Sequence, residues 1–324
     1  MYNNLYFCTI GRIGQSCKSA YMTITEMKLK SRVDGLELSV VVLRPEGEPK
    51  AVIQFSHGLC QNKDVFMPFM KYMAAHGVAC VANDHRGHGG SIRQRRDLGY
   101  MYEGGYMALI NDMHMVTGWA RENFPSCPVF LMGHSMGAMA ARLYLKYFDS
   151  SIDGLIMSGT PSWDPLSYLG KFLSGFLCSI GLERYRMFFS QRLTSTKYNL
   201  KCFAEGYQTW MCSDPKVNQA HMDNPLCNFY MTANCAYNLM EMLAEDFSKD
   251  NWLRANLEVP ICLLSGEFDA LKLSPRRFLH SICHLKDRGY RHIKSLVYPR
   301  MRHEVLNEIG KEKVWDDILS IVSK

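Results

Sequence analysis

Gly133-His134-Ser135-Met136-Gly137 holds a serine between two glycines, the pattern of a turn that lifts a nucleophilic hydroxyl clear of the backbone. The apolar run Val129–Met132 precedes it and a helical pattern over Ala138–Phe148 follows. That is the strand–turn–helix setting such a turn requires. The glycines fit because the turn leaves no room for a Cβ and the helix must pack closely on the strand. A serine hydroxyl is activated by a base, and the base by a group that orients it. In turns of this type the acid and then the histidine come later in the chain. Asp269 follows the apolar run Ile261–Ser265, and His303 follows Lys294–Tyr298, so Ser135, Asp269 and His303 are the expected catalytic residues. Glu267 is the rival acid, nearer its strand end. His280, His284 and His292 follow no strand end. Attack on a carbonyl creates an oxyanion that needs backbone donors. The N–H of Met136, next to the nucleophile, is one, and the N–H of Leu59, in Ser56-His57-Gly58-Leu59-Cys60, is the other. Gly58 permits close approach, and His57 reads as a hydrogen-bonding loop residue.

These residues must be carried by a common scaffold. Short apolar, β-branched runs alternate with helical patterns, which signals a parallel sheet with crossover helices. Candidate strands are Met27–Ser31, Glu37–Leu43, Ala51–Phe55, Val78–Asn83, Val129–Met132, Gly154–Ser158, Ile261–Ser265 and Lys294–Tyr298. Asp34-Gly35 between the first two marks a hairpin, so the sheet should open with an antiparallel pair. The later runs are continuous rather than alternating, as strands buried on both faces are. Helical spacing recurs over Val65–His76 and Tyr106–Asn123. Between residues 160 and 252 strand signals cease. Leu166, Leu169, Phe172, Leu173, Phe176, Leu177 and Ile180 recur every three to four residues as an amphipathic helix. Helical pieces over Tyr185–Phe189, Cys202–Met211 and Tyr230–Leu243 follow. So long a stretch exceeds an ordinary crossover and reads as a helical insertion. The expected organisation is a tail over 1–22 outside the fold, a core over 23–159, a cap over 160–252 and the rest of the core over 253–324.

The chain has 324 residues, 47% hydrophobic and 21% charged, a globular balance that excludes wholesale disorder. A net charge of +6 is too mild to call for nucleic acid. No apolar run nears the ~20 residues of a membrane span. The 12 cysteines are scattered without a Cys-x-x-Cys pair, which favours free thiols and a reducing, cytoplasmic setting. The first twenty residues make a poor secretory signal. His85-x-x-His88 lacks a third ligand in register, so no metal site is expected. Arg93-Gln94-Arg95-Arg96 reads as a solvated loop face, and Cys60 as a small packed side chain.

His57-Gly58, Asp84-His85-Arg86-Gly87-His88-Gly89 and Gly133-His134-Ser135-Met136-Gly137, in that order, resemble the monoglyceride lipase and lysophospholipase branch of the α/β-hydrolases, which includes enzymes called serine aminopeptidases. The likeness covers about Glu26–Ser323. It implies an α/β-hydrolase fold, with a mostly parallel eight-stranded sheet and a helical cap after the sixth strand. It also implies ester hydrolysis without a cofactor, and a lid that touches membranes. Cys60-Gln61-Asn62-Lys63 departs from the branch's usual Gly-Glu-His-Ser and leaves substrate class open. The expected activity is hydrolysis of a small acyl ester or lipid, a monoacylglycerol or lysophospholipid, with Leu169, Phe172, Leu173, Phe176 and Leu177 lining an acyl tunnel. Two other functions fit the same residues. One is an aminopeptidase or small-ester hydrolase, using an acid such as Glu183, Glu205 or Asp223 to hold an amine. The other is a non-catalytic ligand-binding relative. Oligomeric state is not legible.

Overall fold

The computed structural model describes residues 16–19, 22–204, 206 and 208–323. Nine strands among them form one sheet: β1 (Ser16–Ser19), β2 (Met22–Lys30), β3 (Glu37–Pro45), β4 (Ala51–Ser56), β5 (Val78–Asn83), β6 (Val129–His134), β7 (Gly154–Ser158), β8 (Ile261–Gly266) and β9 (Ile293–Tyr298). Their order is β1-β2-β3-β5-β4-β6-β7-β8-β9. All eight expected strands are present. The ninth, β1, pairs antiparallel with β2, so part of the stretch expected to stand outside the fold belongs to the sheet. Residues 1–15 lie outside the described residues. The β2–β3 hairpin turns at Gly35 with a φ of 70°, and every pairing from β5 onward along the sheet is parallel.

The continuous apolar runs are explained by two-sided burial. Leu131, Leu155, Met157 and Leu263 point into one core with α2 (Gly105–Asn123), α3 (Met136–Phe148) and α8 (Pro275–Asp287). Phe130, Met132, Ile156 and Leu264, their strand neighbours, point into the other with α1 (Met67–Ala75) and α9 (Glu312–Val322). Successive strand residues face opposite sides, so a polar residue in a strand covered on both must find internal partners, as Gln54 on β4 does by donating to the Met113 carbonyl and accepting from Thr117.

Between β7 and β8 come four helices: α4 (Leu166–Ser179), α5 (Phe188–Lys201), α6 (Pro215–Asp223) and α7 (Ala233–Asp246). Asp214 caps α6 by accepting from the Lys216 N–H at 2.9 Å, and Thr232 caps α7 by accepting from Cys235 at 3.1 Å. The described residues of Cys202–Met211 do not form the expected helix. Phe203 and Gln208 take left-handed conformations there, with φ of 51° and 59°. The helix α5 was expected only over its first residues, because its polar sequence carries little apolar rhythm.

The orientation of α4 is reversed from the expected one. Ser167 and Ser174 are buried, and a Cβ on Gly175 would meet the Tyr237 ring at 3.1 Å. These small residues bring α4 close onto α7, and Lys171 pairs with Glu241 at 3.0 Å. The apolar stripe therefore faces outward, with Phe172 69% and Leu169 58% exposed.

Candidate active site

The strands β4, β6, β7, β8 and β9 run parallel, with Ser56 beside Gly133, His134 beside Ser158 and Gly266 beside Tyr298. The loops bearing Leu59, Ser135, Asp269 and His303 thus leave the sheet at its carboxyl edge, where open α/β sheets form their sites. Ser135 has φ 55° and ψ −118°, a sparsely populated conformation for a residue with a side chain. Its N–H donates to the Ser158 carbonyl at 3.0 Å, and its carbonyl accepts from Ala138 and Met139. A Cβ on Gly137 would lie 2.0 Å from the Ser56 carbonyl oxygen, so only glycine lets α3 start this close to β4.

His303 donates Nδ1–H to Asp269 Oδ1 at 3.0 Å, and the same oxygen accepts from the Leu271 N–H at 3.0 Å. The Lys272 ammonium closes the acid loop by donating to the Gly266 and Glu267 carbonyls. Both the Asp269 and His303 side chains are buried, and His303 Nε2 has no hydrogen-bond partner among the described residues. Burial pulls the imidazole down, but the Asp269 charge and hydrogen bond, with the Glu304 charge behind them, leave it above its ordinary 6.5. That is the setting of a histidine held in one tautomer with Nε2 open to take a proton. Glu267 is exposed and accepts from the Arg300 N–H at 2.9 Å, so it does not orient His303. His284 bonds Arg142, and His292 bonds Glu258 at the surface.

Ser135 and His303 face a cavity of about 210 Å³. Leu59 and Met136 are in its wall, and Met136, as the first residue of α3, has no carbonyl within its helix to bond. The Gly58 N–H is already given to Gln61 Oε1 at 2.9 Å. The apolar wall comes from Met139 on α3, Met231, and Leu239, Met240 and Leu243 on α7. None of Leu169, Phe172, Leu173, Phe176 and Leu177 lines it, which corrects the expected acyl tunnel. The reason is the small-residue face of α4, which claims the contact with α7. Trp210 covers the base, its ring 5.0 Å from that of His303.

Other candidates are placed apart. His57 bonds the Gly58 carbonyl and accepts from the His85 N–H, a loop role. His57, His85 and His88 cluster with all three held below their ordinary value, chiefly by burial. No three metal-ligating groups converge among the described residues. Cys60 donates to the Phe229 carbonyl at 3.3 Å, and burial pushes its thiol well up, so it is a packed, unreactive thiol. Arg93 pairs with Asp34, and Arg95 and Arg96 are exposed. Asp223 is exposed and bonds Gln219, neither it nor Glu183 lines the cavity, and Glu205 lies outside the described residues.

One part of the site went unseen in the sequence. Glu304, beside His303, is buried and held down to about 2: burial opposes its charge, but the His134 charge and hydrogen bond, His303 and Asn307 outweigh it. It accepts from Gln61 Nε2, from His134 Nε2 at 3.0 Å and from Asn307 Nδ2 at 3.1 Å. Partners 170 and 243 residues apart leave no local signal. A polar residue at the strand end before the nucleophile was the only hint.

The sequence model of the family described as serine aminopeptidase, S33, matches residues 47–310. A monoacylglycerol lipase of Mycolicibacterium smegmatis is 25% identical over 301 residues, which cover 89% of this chain and 93% of that protein. The monoglyceride lipase of Rattus norvegicus is 30% identical over 158 residues, covering 47% of this chain and 50% of that one. A thermostable carboxyl esterase from Bacillus coagulans, solved with glycerol, superposes with a TM-score of 0.82 at 23% identity, covering 92% of this chain and 97% of the other.

Proposed function

Because the chain belongs to the serine aminopeptidase (S33) family, in the monoglyceride lipase branch of the α/β-hydrolases, we propose that this serine carboxylic-ester hydrolase cleaves acyl lipids through Ser135, His303 and Asp269 by way of an acyl-enzyme. The observation that carries the reading is His303, tied to Asp269 through Nδ1, with Nε2 unpartnered beside a cavity that also holds Ser135.

In this mechanism Ser135 Oγ attacks the ester carbonyl while its proton passes to His303 Nε2. The carbonyl oxygen becomes an oxyanion held by the Leu59 and Met136 N–H groups, the latter aided by the α3 dipole. Collapse breaks the bond to the alcohol oxygen, which takes the proton from His303. Water then gives a proton to Nε2 as it attacks the acyl-enzyme. The second collapse releases the acid and returns the proton to Ser135. Asp269 keeps Nδ1 protonated and stabilises the imidazolium.

An acyl chain suits the methionine- and leucine-lined wall, where each buried CH₂ contributes about 0.8 kcal/mol. The choice between monoacylglycerol and lysophospholipid belongs to this proposal, as does a cytoplasmic setting, which the ten free cysteines from Cys60 to Cys283 support. No helix of the described residues is long and apolar enough to cross a membrane. The outward stripe of α4 supports peripheral contact with a lipid surface through the cap. Against a peptidase, the cavity's carboxylate is Glu304, already engaged by three donors and so not available for a substrate amine. The test compares rates on a long-chain monoacylglycerol and an aminoacyl amide, with fluorophosphonate labelling of the wild type and of Ser135→Ala. Faster amide cleavage would replace the lipid reading, and absence of labelling in the wild type would remove the nucleophile.

A further inference from the structure

Glu304 sits one residue from the base, yet the reaction above makes no use of it. Its bonds run across the site. Gln61 donates Nε2–H to Glu304 Oε1 and accepts the Gly58 N–H on its own Oε1 at 2.9 Å. His134 donates Nε2–H to the same carboxylate oxygen at 3.0 Å, and its Nδ1 meets the Ser158 hydroxyl at 3.0 Å. Asn307 donates to Oε2, and the Glu304 N–H itself donates to the Met211 carbonyl. One carboxylate therefore joins the loop after β4, the last residue of β6, the end of β7 and the loop after β9.

We propose that Gln61 and Glu304 form a positioning clamp that sets the oxyanion loop against the nucleophile. The proposal rests on the reading of Ser135, Leu59 and Met136 as reacting and oxyanion groups. The geometric problem is that the two oxyanion donors lie on separate loops. The sheet aligns those loops only as far as Ser56 beside Gly133. Beyond that pair the β4 loop turns through Gly58 to Cys60, whose φ is 54°, and no ladder hydrogen bond fixes it. His57 ties this loop to His85 and Cys60 ties it to Phe229, and Gln61 adds the tie that runs toward the nucleophile. It takes up the Gly58 N–H on one side and is held through Glu304 and His134 on the other. His134 directly precedes Ser135, so the brace reaches the backbone of the nucleophile itself. The donor order matters. An amide can accept from Gly58 and donate to a carboxylate at the same time, whereas two carboxylates, or two misdirected amides, cannot complete the chain. Gln61 and Glu304 touch no reacting atom in this scheme; together they place Leu59, and the Glu304 charge separately helps hold His303 above its ordinary value.

The test exchanges the two groups, with turnover of a soluble short-chain ester as the readout. Gln61→Glu sets two buried acceptors face to face and should lower kcat by on the order of 10–100-fold, a share of the 10²–10³ lost when an oxyanion donor is removed. KM should change little, since ground-state binding does not use the oxyanion donors. Glu304→Gln keeps an acceptor oxygen for Gln61 and His134 but exchanges charge-assisted bonds for neutral ones, and should lower kcat several-fold, up to about tenfold. The double variant Gln61→Glu/Glu304→Gln restores every bond with the carboxylate moved across. Glu at 61 accepts from Gly58 and from the new amide, whose second N–H goes to Nε2 of a His134 that now carries its proton on Nδ1 toward the Ser158 hydroxyl, while the amide oxygen accepts from Asn307 as the carboxylate did. Its kcat should recover at least tenfold over Gln61→Glu. Losses in the double variant that simply multiply, or single variants with wild-type kcat, would overturn the clamp. If Gln61→Glu fails to give a cooperative thermal melt, Gln61→Ala takes its place, and a wild-type kcat there overturns the clamp equally. Failure of the underlying reading would look different, because the wild type itself would then show no ester turnover and no fluorophosphonate labelling.

Discussion

The run Val129–Met132 on β6 and the stripe Leu169, Phe172 and Leu173 on α4 are both apolar, and they end in opposite surroundings. The strand is buried on both faces, while Leu169, Phe172 and Leu173 on the helix are each at least 50% exposed. The difference lies in how the backbone is satisfied. A strand must find a ladder partner on each side, so its position in the sheet is forced and both faces are covered by crossover helices. A helix satisfies its own backbone and is free to turn either face inward. In α4 the small residues, not the large ones, settle the contact. The lesson is that apolar periodicity reports that a face will be covered by something, while the covering partner is a matter of shape. At the sheet edge that distinction does not arise, and the residues proposed as catalytic sit where their strands end.

Experiments can sharpen this contrast between a determined edge and an undetermined cap. The largest effect is expected at the edge. Ser135→Ala should cut turnover by about 10⁴–10⁶ and abolish fluorophosphonate labelling, since the triad acts as a unit; labelling that survives in the variant would move the nucleophile elsewhere. Next, Asp269→Asn should lower kcat on the order of 10⁴-fold by misorienting the imidazole, and Glu267→Gln should leave it within about twofold, because Glu267 bonds only the Arg300 N–H. A reversed order in those two rates would hand the orienting role to Glu267.

A smaller effect separates the cavity wall from the outer stripe. Met240→Ser with Leu243→Ser should raise KM for a long-chain monoacylglycerol about tenfold or more, at roughly 0.8 kcal/mol per lost CH₂ contact, and barely change an acetyl ester. Phe172→Ser with Phe176→Ser should leave KM for both esters unchanged when the substrate is in detergent-free solution below its aggregation point. If that outer pair alone raises KM for the long chain, α4 turns its stripe inward when substrate binds, and the contrast drawn here fails.

The smallest effect is in pH. His303 must be neutral to accept the proton, and its position above 6.5 means kcat/KM should rise with pH along a limb centred above 6.5. Glu304 contributes to that rise, so Glu304→Gln should move the limb to lower pH. A limb that stays in place in the variant would show that the Glu304 charge does not reach the base.

How much of the site could be read from residues follows from range. Ser135, Asp269 and His303 each sit within a few residues of a strand end, and a strand end has a local signature of apolar run followed by turn. The order of those ends along the chain then gives the proposed nucleophile, acid and base. Leu59 and Met136 follow from the same local logic. Glu304, Gln61 and His134 are invisible because their meaning is a three-body contact across 243 residues. Trp210 over His303 belongs to a segment expected to be helical, and its two left-handed residues, Phe203 and Gln208, break a pattern that apolar spacing alone favours.

The amino-acid sequence by itself determined the parallel sheet and the order in which the loops bearing Ser135, Asp269 and His303 leave its edge, because strand burial and turn geometry are written in neighbouring residues. Only the tertiary structure decided which face of α4 meets α7, which residues wall the cavity, and that the Glu304 carboxylate beside His303 bonds Gln61 on the opposite loop. Those depend on shape complementarity and on hydrogen bonds between distant segments, and neither is encoded in any single stretch of chain.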